Sequence, residues 1–226
     1  MGLPRDYLPV HLCTPNRGTQ EAVSWVLALG HQDRHHRSRG KDRRGRLRKM
    51  RSIRERPAGV PSRWIPGHWE GDLIQGALNG SAIGTLVDRS TRFVILARVD
   101  NSSDEAALEG FTRRLRTLPK VMRKTLTYDQ GKKMARHEEL EKRVHQRVYF
   151  ADPHSPWQRP TNENTNGLLR QYFPKGKDLS SYSQQYWTKV AEELNNRPRK
   201  SLGFRTPDEA MAEKLEALSS GVAFHD

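Results

Sequence analysis

The sequence predicts an α/β sandwich, a five-stranded mixed sheet with helices on both faces. Three observations predict it. Two apolar runs, 82–87 and 92–99, flank the polar turn Asp88-Arg-Ser-Thr91, which is a hairpin signal. Stretches of helical period separate the later strands, so those strands are added through crossovers. The resulting order, β-β-β-α-β-α-β-α-α, joins three strands antiparallel and brings in two more through helices.

Each element has its own justification. Pro57, Pro61 and Pro66 punctuate the entry to the folded core. Trp69-Glu-Gly-Asp-Leu-Ile74 reads as the first strand, Ala82-Ile-Gly-Thr-Leu-Val87 as the second and Arg92-Phe-Val-Ile-Leu-Ala-Arg-Val99 as the third. Asn101-Ser-Ser-Asp104 offers capping residues for a helix through Leu118, whose Ala107, Leu108, Phe111 and Leu115 recur at helical spacing. Pro119 ends it. Residues 123–129 form a fourth strand, Met134 to Gln146 a second helix with Ala135 and Leu140 among charges, and Arg147 to Ala151 a fifth strand. A proline-interrupted loop, Pro153 to Pro160, leads into a helix over 160–172, followed by another over 183–195. The last helix opens at Thr206-Pro-Asp-Glu209, with proline in its first turn. The partition expected is a basic, flexible N-terminal arm over 1–56, a catalytic core over 57–212 and a tail over 213–226.

Charge points to a polyanion. The 226 residues carry a net charge of +14 with a pI near 10.3, and nucleic acid is the first candidate partner. The plainer alternative is a basic protein of ribosomal or chaperone-bound kind. The charge is concentrated: residues 31–56 hold twelve Lys/Arg against three Asp/Glu, a net +9. With little apolar periodicity, that segment reads as an arm that neutralises phosphates or as a solubilising linker. His31, His35 and His36 sit among its arginines and read as part of a solvated basic stretch. Residues 1–30 show no paired helices, only one short candidate at Gln20 to Leu29. Cys13 is the single cysteine, which excludes an internal disulfide, and no zinc-site spacing is present. No apolar run reaches 18 residues, and Ala22 to Leu29 lacks the marks of a signal peptide, so the expectation is a cytoplasmic protein without a membrane span.

Three acids then make sense of one another. Asp72 lies in the strand His68-Trp-Glu-Gly-Asp-Leu-Ile-Gln75, Asp129 ends the run Thr125-Leu-Thr-Tyr-Asp129 before the turn Gln130-Gly131, and Glu163 enters a helix. Carboxylates from two strands and a helix suit a pair of divalent ions, Mg²⁺ or Mn²⁺, which clamp the attacking and leaving oxygens of a phosphoryl transfer. On the helix, Glu163, Asn166 or Gly167, and Arg170 share one face. Taken singly, each acid has a plainer reading as a turn, cap or macrodipole residue. Glu70 faces the same side of its strand as Asp72, Asp88 reads as a turn stabiliser and Asp152 as a loop residue. All three are set aside as ligands.

The segment Tyr149-Phe-Ala-Asp-Pro-His-Ser-Pro-Trp-Gln-Arg-Pro-Thr-Asn-Glu-Asn-Thr-Asn-Gly-Leu-Leu-Arg-Gln-Tyr-Phe-Pro-Lys-Gly176 closely resembles the signature of the IS-thirty family of bacterial insertion-sequence transposases. Pro66-Gly-His-Trp-Glu-Gly-Asp-Leu-Ile74, Thr85-Leu-Val-Asp-Arg-Ser-Thr-Arg-Phe93 and Leu194-Asn-Asn-Arg-Pro-Arg-Lys-Ser-Leu-Gly-Phe-Arg-Thr-Pro207 are similar to that family too, in the same order. The resemblance covers roughly residues 51–212. It implies a ribonuclease-H-like, retroviral-integrase-like core with a catalytic, metal-binding triad of Asp72, Asp129 and Glu163. The implied reaction cuts DNA at the element end with water and then joins the freed 3′-hydroxyl to target DNA, without a covalent protein–DNA intermediate. It also implies that Trp157, Gln158, Arg159, Asn162, Asn164, Asn166 and Arg170 lie near the site as DNA-contacting or site-shaping residues. Lys175 and Lys177, just beyond, are further DNA-binding candidates, and Trp157 reads equally well as a packing anchor. Double-stranded DNA, both element ends and target, is the implied partner. A homo-oligomer on that DNA follows from joining two ends, and the implied location is the bacterial cytoplasm, on the nucleoid.

Three positions depart from the family pattern. Residues 1–45 do not resemble its helix-turn-helix region, so the arm is expected to be a truncated DNA-binding region. Lys133 stands where the family has glutamate, and Pro160 where it has glycine. Two other classes compete with a transposase: a truncated, catalytically impaired relative that binds only DNA or a partner transposase, and a nuclease that hydrolyses without joining.

Overall fold

In the computed structural model, which describes residues 49–60 and 62–220, the central strand is β1, His68–Gln75. Strand β2 (Ala82–Asp88) pairs antiparallel with it, and β3 (Val94–Val99) antiparallel with β2. On the other side β4 (Thr125–Tyr128) and β5 (Arg147–Phe150) add in parallel, giving the order β3-β2-β1-β4-β5. Five helices accompany the sheet: α1 (Asp104–Arg116), α2 (His137–Val144), α3 (Pro160–Tyr172), α4 (Gln184–Asn195) and α5 (Pro207–Ser219). This is the ribonuclease-H-like architecture that the sequence implied. No helix among the described residues is long and apolar enough to cross a membrane.

The sheet buries both faces because its strands alternate between two apolar sets. Leu86, Ile95, Ala97, Leu126, Tyr128, Val148 and Phe150 pack under α1 and α2, against Phe111, Leu115, Leu140 and Val144. Ile83, Val87, Val94 and Leu96 pack on the other face against Leu169 of α3, Phe173 just after it, and Trp187, Val190 and Leu194 of α4. In β1 the alternation sends Trp69 into the first core and Ile74 into the second, so Glu70 and Asp72 share the face of Ile74. Between them, Gly71 leaves the opposite face clear. A Cβ there would lie 2.9 Å from the Tyr128 ring and 3.0 Å from Leu126.

Local chemistry sets the ends of the elements. Ser103, Ser183 and Thr206 accept backbone N–H bonds at the starts of α1, α4 and α5, and Thr206 forms a capping box with Glu209. Asp88 shapes the hairpin as expected: its Oδ2 accepts from the N–H and hydroxyl groups of both Ser90 and Thr91. Asp152 shapes its loop through a two-way pairing with Gln158. At the edge of the sheet, the side-chain amides of α4 stand in for a missing strand. Asn195 accepts from Val94 N–H and donates to Val94 O, and Gln184 accepts from Arg98 N–H and donates to Leu96 O.

Three boundaries differ from the expected ones. The helix expected over 134–146 is a 3₁₀ turn at Lys132–Met134 followed by α2, with non-helical Arg136 between them and left-handed His145 (φ 53°) ending it. Folded structure begins before residue 57: Ser52 bridges Phe150 in parallel, Phe150 N–H donates to Arg51 O, and Ile53 is buried. It also continues past 212, because α5 runs to Ser219 and buries Ala210 and Met211. The helix expected at Gln20 to Leu29, the histidines near 31–36 and the arm up to residue 48 lie outside the described residues.

A buried ion pair fixes α3 to the sheet. Arg159, at the N-cap of α3, makes no side-chain cap, which leaves the orphan N–H groups of the first turn in need of acceptors. Glu70, fully buried in β1, supplies one: its Oε2 accepts the N–H of Asn162 at 2.9 Å. Its Oε1 accepts from Arg89 Nη1 in the hairpin at 2.7 Å. Burial pushes the Glu70 carboxyl up, while Arg89 and the Asn162 N–H hold it down. Replacing one partner of such a pair strands the other charge, so Glu70→Gln is expected to cost about 3–5 kcal/mol. Urea unfolding measures this, and a loss below about 1 kcal/mol would show that the pair does not hold the helix.

His68 gives the core an acid-sensitive point. Burial first, and then Lys124, push its imidazole from 6.5 down to about 4, and Nδ1 lies 2.8 Å from Thr125 Oγ1. Between those pH values the unfolded chain takes up a proton that the folded chain refuses, so this contribution is complete above about 6.5 and disappears as pH falls toward 4. At about 1.4 kcal/mol per unit the loss is about 3 kcal/mol. In His68→Gln the decline in stability from pH 7 to pH 4 should be shallower than in the parent chain, and equal declines would clear the imidazole.

Candidate active site

Asp72 and Asp129 meet because β1 and β4 run parallel. The last pairs in their register are Trp69 with Leu126 and Glu70 with Thr127, so two residues further on Asp72 comes beside Asp129. This half of the face is polar where the β2–β3 half is apolar: His68, Glu70, Asp72, Thr125 and Thr127 occupy it, and α3 borders it. Asp72 is held on both oxygens. Its Oδ1 accepts the N–H of Leu73 at 2.8 Å, and its Oδ2 accepts from Asn166 Nδ2 of α3 at 2.9 Å. Burial raises the Asp72 carboxyl above its ordinary range, Arg159 lowers it, and Asp129 adds repulsion. Asp129 turns the chain at the end of its strand, with Oδ1 accepting the N–H of Gly131 at 3.1 Å. A Cβ at residue 131 would come within 2.8 Å of that oxygen, so a larger residue there would push the Asp129 carboxylate out of this position.

The cation between the two acids is Arg159. Its Nη1 donates to Gly71 O at 2.9 Å and lies 3.9 Å from Asp72 Oδ2, while its Nη2 lies 3.9 Å from Asp129 Oδ2. Two carboxylate oxygens facing one positive group are hard donors of the kind that Mg²⁺ takes, and to that extent the pair fits a divalent ion. Glu163 is not gathered with them. It is exposed in the first turn of α3. Among the described residues, no group of three or more His, Cys, Asp or Glu is close enough to hold an ion.

The remaining sequence-predicted residues divide. Asn166 reaches Asp72, and Arg170 reaches the carbonyl oxygens of Gln75 and Phe173 at 3.5 Å, so both lie on the side of α3 toward β1. Arg159 and Asn162 are buried, and Thr85 Oγ1 donates to Asn162 Oδ1 at 3.0 Å. Of the two roles expected for them, site shaping is the one their burial allows. Gln158 belongs to the Asp152 loop. Trp157 is 71% exposed, which corrects its reading as a packing anchor. Asn164, Lys175 and Lys177 are exposed, with the Lys177 ammonium 5.5 Å from the Tyr182 ring. Pro160 is the first residue of α3, where its missing N–H costs no helical bond. Lys133 lies in the 3₁₀ turn after Asp129 and forms no ion pair among the described residues.

Sequence reasoning missed the part played by Glu70 and Arg89. The sequence signal was present in one respect: an acid two residues from Asp72 on a strand has to share its face.

Comparison with known proteins places this geometry. An integrase core domain matches residues 65–156, a range that contains both aspartates. The transposase for insertion sequence element IS1086 of Cupriavidus metallidurans is 56% identical over 179 residues, 79% of this chain and 53% of that protein. Transposase InsI of insertion sequence element IS30A of Escherichia coli K12 is 46% identical over 201 residues, 88% of this chain and 50% of that protein. The transposase for insertion sequence element IS4351 of Bacteroides fragilis is 36% identical over 198 residues, 87% of this chain and 60% of that protein. A chain of the simian T-cell lymphotropic virus intasome in complex with PP2A regulatory subunit B56 gamma aligns with a TM-score of 0.47 at 18% identity, covering 58% of this chain and 49% of that one. This chain spans about half the length of the first two relatives. Over that span, it belongs to the IS-thirty (IS30) family of insertion-sequence transposases.

Proposed function

We propose that this chain carries the catalytic core of a transposase that cuts and joins double-stranded DNA, with Asp72, Asp129 and Glu163 as the triad that holds two divalent ions, Mg²⁺ or Mn²⁺. The observation that carries the reading is the pair Asp72 and Asp129, set side by side by parallel strands and facing one cation, Arg159. Bound ions would supply the charge clamp for in-line displacement at phosphorus. The chain's own residues do the positioning. Asn166 orients the Asp72 carboxylate, Glu70 ties down the helix that carries both Asn166 and Glu163, and the exposed Glu163 is free to turn toward the pair.

In this reading, water breaks a phosphodiester bond at the element end and leaves a 3′-hydroxyl. That hydroxyl then attacks a target phosphorus, forming a new phosphodiester and releasing a target 3′-hydroxyl. Exposed Trp157 offers a ring for base stacking, and Asn164, Lys175, Lys177 and the basic arm offer donors to phosphates. Two ends must be joined, so the working form is a homo-oligomer on DNA, acting at the nucleoid in the bacterial cytoplasm. The basic segment that precedes residue 51 serves as the chain's own DNA-binding region.

Strand transfer on duplexes that carry the element ends, with Mg²⁺ or Mn²⁺, tests the reading. Joined products should form with the parent chain, and Asp129→Asn should lower them at least about a hundredfold, on the scale of losing one electrostatic catalytic group. Cut but unjoined products would favour a nuclease, and DNA binding without either product would favour the impaired, binding-only relative.

Arg159 gives a second test. It and a divalent ion are drawn to the same two carboxylates, so Arg159→Gln leaves that negative charge for the ion alone. The rise in Tm on adding Mn²⁺ should be larger in Arg159→Gln than in the parent chain. An equal or smaller rise would mean that Arg159 and the metal do not share the site.

A further inference from the structure

Helix α3 presents a second polar feature on the side away from Asn166 and Arg170. A cavity of about 220 Å³ opens there, lined by Arg63, Arg92, Arg199, Thr161, Asn164 and Ser201. The three arginines come from three separate places: the segment before β1, the β2–β3 hairpin and the loop after α4. None of them forms an ion pair among the described residues. The buried acid nearby, Glu70, is already engaged by Arg89 and by the N–H of Asn162.

The arrangement is unfavourable without an anion. Burial, and then the charge of Arg63, push the Arg92 guanidinium below its ordinary range, and burial, and then Arg197, do the same to Arg199. The Nε of Arg199 is buried with no hydrogen-bond partner. Arg92 donates through Nη1 to Thr161 Oγ1, which aims the guanidinium along the first turn of α3. Arg63 and Arg92 both hold left-handed backbones, φ 61° and 63°, a conformation that disfavours side chains other than glycine. Two strained arginines and a third with an unsatisfied buried donor thus converge on one concavity.

We propose that this cavity is a subsite for a backbone phosphate of the bound DNA, separate from the carboxylate site and on another face of the same helix. The proposal rests on the DNA-joining reading above. A planar guanidinium donates two parallel bonds to phosphate oxygens, which is the recognition that arginines lining a cavity with no acid in its wall provide. Such a contact reads no base. It fixes where the strand crosses α3, and through α3 the register of the DNA against Asp72 and Asp129.

The test is the salt dependence of binding by the full chain to a short fluorescent duplex, read by anisotropy across a KCl series. The double variant Arg63→Gln/Arg199→Gln should make the plot of log K against log[KCl] shallower by about 0.9 for each phosphate that is no longer neutralised. Arg143→Gln, which removes a positive charge from α2, where Arg143 is paired with Glu109 and Glu139, should leave the slope nearly as it was. Arg92 is left intact because its bond to Thr161 supports the helix, and the two single variants carry the test if the double variant unfolds. An unchanged slope, with DNA joining by the parent chain intact, overturns the subsite and spares the function. A parent chain that binds no duplex overturns both. If the double variant loses only a Tm rise caused by inorganic phosphate while its slope is unchanged, the cavity takes a free anion, and the proposal fails.

Discussion

The carboxylate of Glu70 is the joint on which the site turns. It lies in the central strand with no access to solvent, and it reaches both the hairpin, through Arg89, and the start of α3, through the N–H of Asn162. A helix whose N-cap residue offers no side-chain acceptor would ordinarily fray at its first turn. Here the acceptor comes from a strand 92 residues earlier, so the position of α3 depends on tertiary structure. That matters because α3 bears Asn166, which holds Asp72, as well as Glu163, and because Arg159 directly precedes its first residue. The favourable end of the helix macrodipole also points at this carboxylate, which adds to the same attachment.

The two faces of the sheet show how a core and a cluster of acids coexist on one strand. On the α1–α2 side every strand contributes apolar side chains. On the α3–α4 side the apolar residues are those of β2 and β3 with Ile74 at the far end of β1; the rest of the β1–β4 half carries acids, threonines and a histidine. Burial raises the Asp72 carboxyl, and the neighbouring Asp129 adds repulsion to it. Arg159 answers it from between the two aspartates. One guanidinium thus faces both carboxylates, 3.9 Å from an oxygen of each.

Much of this was legible in the sequence. The strand order follows from the hairpin signal at Asp88 to Thr91 and from helical periods between the later strands, because short turns and long crossovers leave different marks in a chain. Asp72 and Asp129 were legible because strand position and turn residues place them. The parts that were not legible depend on partners distant in sequence. Glu70 was set aside because nothing local distinguishes a buried acid from a ligand; only Arg89, brought in by the hairpin, does so. Arg159 entered only through the family resemblance, as a DNA-contacting or site-shaping residue; that its guanidinium turns inward to Gly71 O depends on a strand 88 residues earlier. Glu163 shares a face with Asn166 and Arg170 by period alone, and period does not say how far a side chain reaches. The split of the second helix at Arg136 has no counterpart in proline or glycine and could not be read in advance.

The amides of Gln184 and Asn195 bear on how copies of this chain could associate. By occupying outward-facing peptide groups of Val94, Leu96 and Arg98, they remove the template that an uncovered edge offers to a foreign strand. A second copy is therefore denied β-augmentation along β3, and the continuous intermolecular sheet that such pairing would seed is blocked at that margin. Any assembly of these cores along that margin has to be built from side chains and helices, whose contacts form and dissolve without unravelling the sheet that aligns the two aspartates.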